Sequence, residues 1–152
     1  MNFDIPSSLK AEHEALHEEL RLATRAGGEI GEAAQTLARL MHPHFVKEDE
    51  FALPPLGLLA ALTRGEAPAG MADVLALTDR LEAEMPTMLQ EHQEIVVALR
   101  RLRELASRAD RADLVDFADG LLQHARTEEE VMYPAALLVG RYVRSLGNAA
   151  KG

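Results

Sequence analysis

The chain has 152 residues, no cysteine and a net charge of −9 at pH 7. This length suits one domain with a single core and is too short for two ordinary domains. The lack of cysteine excludes disulfides, zinc–thiolate and iron–sulfur sites and cysteine nucleophiles, so any metal must be held by nitrogen and oxygen ligands. The acidic balance argues against nucleic acid as a partner, because a phosphate-binding surface needs an excess of Lys and Arg.

The sequence also argues against a membrane partner and against export. No stretch approaches the roughly 18 apolar residues of a membrane span, and residues 1–10 lack the basic start and apolar run of a signal peptide. We therefore expect a cytoplasmic location. Ala, Leu, Glu and Arg are abundant and no segment shows the alternating pattern of a half-buried strand, which predicts an all-α fold.

The first half of the chain predicts two helices joined by a glycine turn. The Pro6-Ser7-Ser8 start and leucines at helical spacing predict a first helix that ends at Gly27-Gly28. A second helix is expected from about residue 29 to residue 48, bent where Pro43 removes a backbone donor and kinked or ended by Pro54-Pro55. Residues 57–70 are small, apolar and turn-rich, and predict a short helical extension followed by a linker.

The second half predicts a similar pair of helices. A third helix is expected from Met71 to about Ser107, and Pro86 is expected to break or kink it, which would leave residues 71–84 as a separate helix. Asp110, with Asp113 three residues later, has the pattern of an N-cap. It predicts the start of a fourth helix that fades near residue 146.

An internal repeat relates the two halves. Glu12-His13 matches Glu91-His92 at an offset of 79 residues. Further along, the matched positions are separated by 80 residues: His44, Glu48, Glu50 and Pro54 correspond to His124, Glu128, Glu130 and Pro134. The repeat predicts one helical hairpin written twice, with hairpin one at about residues 7–56, a linker at about 57–70 and hairpin two at about 71–146.

Each half contains a His-x-x-x-Glu block, from His44 to Glu48 and from His124 to Glu128. Four residues of an α-helix rise about 6 Å on one face, so both side chains of a block can reach one ion. One such block is more often a hydrogen-bonded pair on a helix surface. Two blocks, each with a further histidine at a similar distance from its turn, favour a metal site in one layer of a four-helix bundle. The predicted ligands are His13, His44, Glu48, His92, His124 and Glu128.

Two other histidines have weaker claims to bind metal. His17 lies one turn from His13 and could be a fifth ligand, but its counterpart in the repeat is Val96, which favours a solvent-facing or supporting role. His42 is two residues from His44 and therefore points to nearly the opposite side of a helix, which favours a surface role.

At these residues the chain resembles the hemerythrin-like family, the HHE cation-binding domain. The family's pattern of His, then His-x-x-x-Glu, repeated once, is met by the six predicted ligands, and the segment from His124 to Pro134 is similar to the family's usual context. The resemblance covers about residues 7–144. It implies a single hemerythrin-like domain over residues 1–152, folded as an up-down-up-down four-helix bundle around two iron ions joined by an oxo or hydroxo bridge.

One position departs from the reversible oxygen carriers of that family. Those proteins have a further histidine four residues before the histidine of the third helix, and here that position is Met88. A thioether is a poor ligand for iron among nitrogen and oxygen donors. The departure argues against reversible oxygen carriage, and predicts an exchangeable position on the iron nearest His92.

Three functions remain open from the sequence. The protein could bind or sense dioxygen or a related small molecule at a di-iron centre, or it could be a di-iron enzyme that acts on peroxide or nitric oxide. It could also be a metal-stabilised helical module without small-molecule chemistry, with zinc or manganese in place of iron. The expected small-molecule partner is O2, peroxide or NO. The protein partners considered are a second copy of the chain, in a homodimer, and a separate signalling protein.

Overall fold

The computed structural model describes residues 3–151, and every regular element in that range is a helix. The α-helices are α1 (Ser7–Ala23), α2 (Gly28–Lys47), α3 (Leu59–Thr63), α4 (Met71–Arg108), α5 (Ala112–Thr127) and α6 (Tyr133–Ala149). Two π-helical turns, Glu48–Ala52 and Glu128–Met132, follow α2 and α5, and a 3-10 turn, Pro54–Leu58, precedes α3. The predicted all-α class and the short helical extension before the linker are confirmed. None of these helices has the length and apolar content needed to cross a membrane.

Two large apolar clusters fill the bundle. Helices α1, α2, α4 and α5 contribute to the first, whereas α1, α4, α6 and the two π-helical turns contribute to the second or lie against it. The first cluster contains Leu20 of α1, Leu37 of α2, Leu99 of α4 and Leu121 of α5. The second contains residues of α4 and α6 and of both π-helical turns: Phe51, Leu81, Met88, Met132 and Tyr133, with Leu9 of α1 packed against it. The positions between the two clusters along the helices are those of the predicted metal ligands.

Helix α4 is continuous through Pro86 over 38 residues, so the predicted break at this proline is wrong. Pro86 is exposed, whereas Leu81 and Met88 on either side of it are fully buried in the second cluster. Packing on α2, α5 and α6 holds the helix together on both sides of the proline, and burying two large side chains contributes about 3–6 kcal/mol against a proline cost of about 3 kcal/mol.

The turn between α4 and α5 corrects the role predicted for Asp110. Asp110 has φ of 54° and lies after the end of α4. The Arg111 N–H donates to the Ala106 carbonyl at 2.9 Å and the Asp110 N–H to the Ser107 carbonyl at 3.2 Å, which is the Schellman arrangement of a helix C-terminus. Aspartate tolerates the left-handed conformation that this arrangement needs. Asp110 therefore ends α4, and Arg111 occupies the N-cap of α5 without a side-chain capping bond.

The fourth predicted helix is α5, a π-helical turn and α6 in succession, and a matching π-helical turn follows α2. In each turn an N–H donates to the carbonyl five residues earlier, from Leu53 to Glu48 and from Tyr133 to Glu128. Pro54 and Pro134 come directly afterwards. A proline has no N–H for the carbonyl four residues back and its ring clashes with that carbonyl, and a widened turn relieves the clash. These turns were not predicted, and the matched prolines of the repeat are the feature of the sequence that could have indicated them.

Gly140 of α6 lies where this helix closely approaches Thr78 of α4. A Cβ at this buried position of α6 would lie 2.2 Å from Thr78 Oγ1 and 2.6 Å from Thr78 Cβ. We expect Gly140→Ala to lower the free energy of unfolding by about 1–3 kcal/mol, measured by urea denaturation. Gly120→Ala in α5 is the control, because nothing lies within 4 Å of its Cβ and alanine is favoured in a helix by up to about 1 kcal/mol. Equal effects of the two variants would contradict the close approach.

Candidate metal centre

Four histidines and two glutamates converge between the two large clusters. They come from α1, α2, α4, α5 and the first residue of each π-helical turn, and none is more than 5% exposed. The structure brings together all six predicted ligands: His13, His44, Glu48, His92, His124 and Glu128. Their contacts form two groups that share the glutamates.

We call the first group subsite A. The Nε2 atoms of His44 and His92 are 2.8 Å apart. Glu48 Oε1 lies 3.2 Å from the Nε2 of His44, and Glu128 Oε2 lies 3.2 Å from the Nε2 of His92. Subsite A therefore has two imidazole nitrogens and one oxygen from each glutamate.

We call the second group subsite B. The Nε2 atoms of His13 and His124 are 3.1 Å apart. Glu128 Oε1 lies 2.6 Å from the Nε2 of His124 and 3.4 Å from that of His13. Glu48 Oε2 is 3.6 Å from the Nε2 of His13. Each glutamate thus directs one oxygen to each subsite, with Glu48 at the longer distance in subsite B.

Carboxylates outside the layer orient three of the histidines. The Nδ1 atom of His44 lies 2.7 Å from Glu91, that of His92 lies 2.8 Å from Glu129, and that of His124 lies 2.8 Å from Glu12. An ionised carboxylate can only accept, so each Nδ1–H donates and the Nε2 atom is directed inward. Among residues 3–151, the only partner near the Nδ1 atom of His13 is Asp49, at the longer distance of 3.7 Å.

Sequence reasoning missed this outer layer. The glutamates that precede the first histidine of each half, Glu12 and Glu91, are visible in the repeat, but each orients a histidine of the other half. Lys47 also contacts Glu91, at 2.5 Å, and holds that carboxylate against α2. Such contacts between distant helices leave no mark in the helical period of one segment.

Tyr133 is a further missed residue of the site. Its hydroxyl donates to Glu48 Oε1 at 2.5 Å and lies 3.3 Å from the Nε2 atoms of both His44 and His92. The side chain is 1% exposed. The phenol therefore belongs to subsite A.

The pKa values of the two glutamates are shifted in opposite directions. Burial and the nearby charge of Glu128 raise the pKa of Glu48. Burial also opposes ionisation of Glu128, but hydrogen bonds from His124, His13 and His92 outweigh it and hold the pKa of Glu128 well below its usual range. Two carboxylates this close in a dry layer cannot both ionise cheaply without a cation, which explains the split.

Each subsite contains one histidine with a strongly raised pKa. Burial disfavours the charged imidazole, but hydrogen bonds and charge from Glu48 and Glu91 outweigh it and raise the pKa of His44 to about 9. Glu128 and Glu12 do the same for His124, whose pKa is also about 9. At neutral pH a proton therefore lies in each pair of facing nitrogens, and the layer favours positive charge at two points.

Each of the two groups of donors could hold a metal ion. Two ligand atoms that each lie about 2.1 Å from one ion at a right angle are about 3.0 Å apart, close to the separations of the facing nitrogens in both subsites. Within the part of the chain that the structure describes, the buried atoms His13 Nδ1 and Glu48 Oε2 have no hydrogen-bond partner. Glu48 Oε2 faces subsite B, where a cation would satisfy it.

The remaining candidates lie outside this donor set. His17 is exposed, and its ring packs against that of Phe45 at 4.1 Å between centroids, with the two rings tilted by 44°. His42 is exposed, as predicted for a surface residue. Met88 is fully buried in the second apolar cluster, which also contains Tyr133.

The buried His/Glu layer agrees with the comparison to known families. The family model described as the hemerythrin HHE cation-binding domain matches residues 4–136. No curated protein and no solved structure matches the chain. Because the match covers most of the chain and includes every residue of the layer, the protein belongs to the hemerythrin HHE cation-binding domain family.

Proposed function

We propose that the protein holds two iron ions, one in each subsite, and binds dioxygen or a related small molecule at this centre. The observation that carries the proposal is the convergence of four Nε2 atoms on two shared carboxylates, with the opposite ring nitrogens of three histidines held by outer carboxylates. Histidine and carboxylate ligands suit iron, and they also accept zinc or manganese.

An up-down-up-down order of the four helices that carry the site, α1, α2, α4 and α5, is part of the proposal. Along α1 and α4 the chain passes from the second apolar cluster to the first, as in Met88 followed by Ile95. Along α2 and α5, each taken with the π-helical turn that follows it, the chain passes from the first cluster to the second, as in Leu121 of α5 followed by Met132 of the turn. This alternation supports antiparallel neighbours, with the ligands of all four helices at one level.

The protein's own residues prepare the site in three ways. The outer carboxylates fix the direction of the imidazoles, so little ordering is needed when an ion binds. Glu48 and Glu128 offset the charge of two divalent ions in a layer between apolar clusters. When bound, iron supplies redox electrons and an open position for the small molecule.

A second candidate function is an enzyme that consumes peroxide or reduces nitric oxide, and Tyr133 favours it. Burial and the nearby charge of Glu48 raise the pKa of Tyr133 far above its usual range, so the phenol stays protonated. Its hydroxyl oxygen is within hydrogen-bonding distance of Glu48. A neutral phenol that donates to Glu48 holds this shared carboxylate in place, and turnover depends on groups held in fixed positions.

Metal analysis and visible spectroscopy test the proposed function. We expect the iron-reconstituted protein to contain two iron ions per chain. His44→Ala should lose at least one of them, whereas the exposed neighbour variant His42→Ala should keep both. Zinc or manganese retained in preference to iron, with no spectral response to air, would support the metal-stabilised module instead.

The response to small molecules separates binding from catalysis. A stable, reversible change in the visible spectrum when the reduced protein is mixed with O2 supports binding. Peroxide consumption with oxygen evolution supports an enzyme, and Tyr133→Phe is then expected to lower the rate by about tenfold because it removes the hydrogen bond that holds Glu48. A rate unaffected by that substitution would exclude this role for the phenol.

Metal should also stabilise the fold through the two glutamates. We expect the melting temperature to rise with added metal, because an ion that binds only the folded chain stabilises it. Glu128→Gln should remove most of this rise, since both oxygens of Glu128 face histidine nitrogens. Glu130→Gln, an exposed position in the same π-helical turn, is the matched control. An equal rise in both variants would place the ions elsewhere.

Metal binding should release protons at neutral pH. The raised pKa values mean that the protonated forms of His44 and His124 stabilise the metal-free fold below pH 6.5, and that this stabilisation is lost as pH rises through about 9. Metal must displace these protons, so its apparent affinity should increase from pH 6.5 to 9. Calorimetric zinc titrations in two buffers of different ionisation enthalpy would count the protons released, with fewer expected at pH 9.5 than at pH 7. Equal release at the two pH values would contradict the assignment.

A further inference from the structure

The internal repeat relates subsite A to subsite B. Under the repeat, His44 and His92 of subsite A correspond to His124 and His13 of subsite B. The supporting contacts follow the same rule, because Glu91 orients His44 as Glu12 orients His124. The ligands are therefore of the same residue types in the two subsites. Their outer contacts differ at one pair, because Glu129 lies 2.8 Å from His92 whereas its counterpart Asp49 lies 3.7 Å from His13.

The residue that breaks this equivalence most strongly is Tyr133. Its counterpart in the repeat, 80 residues earlier, is Leu53, which is fully buried and carries no polar atom. The Tyr133 hydroxyl lies within 3.3 Å of three potential metal ligands in subsite A. Leucine can offer no such group at the equivalent position of subsite B.

A second difference lies at Phe45, whose counterpart is Ala125. Phe45 lines a groove of about 520 Å³ between α1 and α2, together with His17 and Met41. Its ring is 5.0 Å from the ring of His13 and is only 2% exposed. One apolar side chain thus lies between this groove and subsite B, and it has no atom that could compete for a metal.

The route to subsite A ends differently. A groove of about 460 Å³ between α4 and α6, lined by Met85, Leu89 and Leu137, ends at Tyr133. Tyr133 is the residue of subsite A that lines this groove, and neither His44 nor His92 does.

We propose that Tyr133 closes subsite A, so that the small molecule binds at subsite B, which it reaches past Phe45. This inference rests on the proposed two-iron function and names the half of the centre that reacts. It revises the expectation drawn from Met88 alone, which placed the exchangeable position next to His92. The Tyr133 hydroxyl fills that side instead.

Azide binding to the oxidised, iron-loaded protein tests the inference, because azide is a small anion that occupies open positions on ferric iron. We expect one azide per chain in the native protein by calorimetric and spectral titration. Tyr133→Phe removes the hydroxyl and keeps the ring, and should admit a second azide. One azide in both proteins, two in the native protein or none in the native protein would each overturn the inference.

Association rates provide a second test that does not depend on Tyr133. Phe45→Leu places a smaller side chain between the groove and His13. It should therefore speed azide association, measured by stopped-flow absorbance, by about tenfold. Leu137→Ala opens the groove beside subsite A and is the matched control, with no change in rate expected. Acceleration by Leu137→Ala without acceleration by Phe45→Leu would place binding at subsite A.

Iron analysis of the same samples separates this inference from the function on which it rests. If the native protein retains fewer than two iron ions, the two-iron function itself fails. If it retains two ions and azide follows the subsite A pattern, only the assignment of the reactive half fails.

Discussion

A polar layer between two apolar clusters is the constraint on which this structure depends. Ionised carboxylates and imidazolium groups cost several kcal/mol each when they leave water, unless they are paired and hydrogen-bonded. Glu128 meets this requirement by accepting from three histidines, and Glu48 by taking a bond from Tyr133 and by favouring its protonated form. The layer is thus stable only because all four helices bring their polar residues to one level.

The two π-helical turns explain how the chain continues past this layer. Each begins at a glutamate of the layer and is followed by a proline, at positions 54 and 134. The turn also rotates the next residue. Five residues of an α-helix turn about 500°, which would direct Tyr133 well away from Glu128, whereas the wider turn brings residues five apart onto one side. The backbone feature that accommodates Pro134 therefore also places the phenol in subsite A.

The same feature marks the limit of sequence reasoning. Helical period and the repeat were enough to find the six residues of the layer, because these depend on spacing within one α-helix. Tyr133 was not found, because the π-helical turn changes that spacing. Glu12 and Glu91 were not given roles, because each acts on a distant helix. Asp110 was misassigned because one residue type serves both helix starts and left-handed helix ends.

Duplication of one hairpin explains both the regularity of the site and its asymmetry. A change at a ligand position leaves buried charge unpaired, since each of Glu48 and Glu128 serves both subsites. A change beside the ligands, such as Tyr133 in place of the equivalent Leu53, keeps the charges paired and alters only what else can approach one ion. Differences in chemistry between the two halves should therefore arise at neighbours of the ligands, where substitution leaves no buried charge unpaired and changes access.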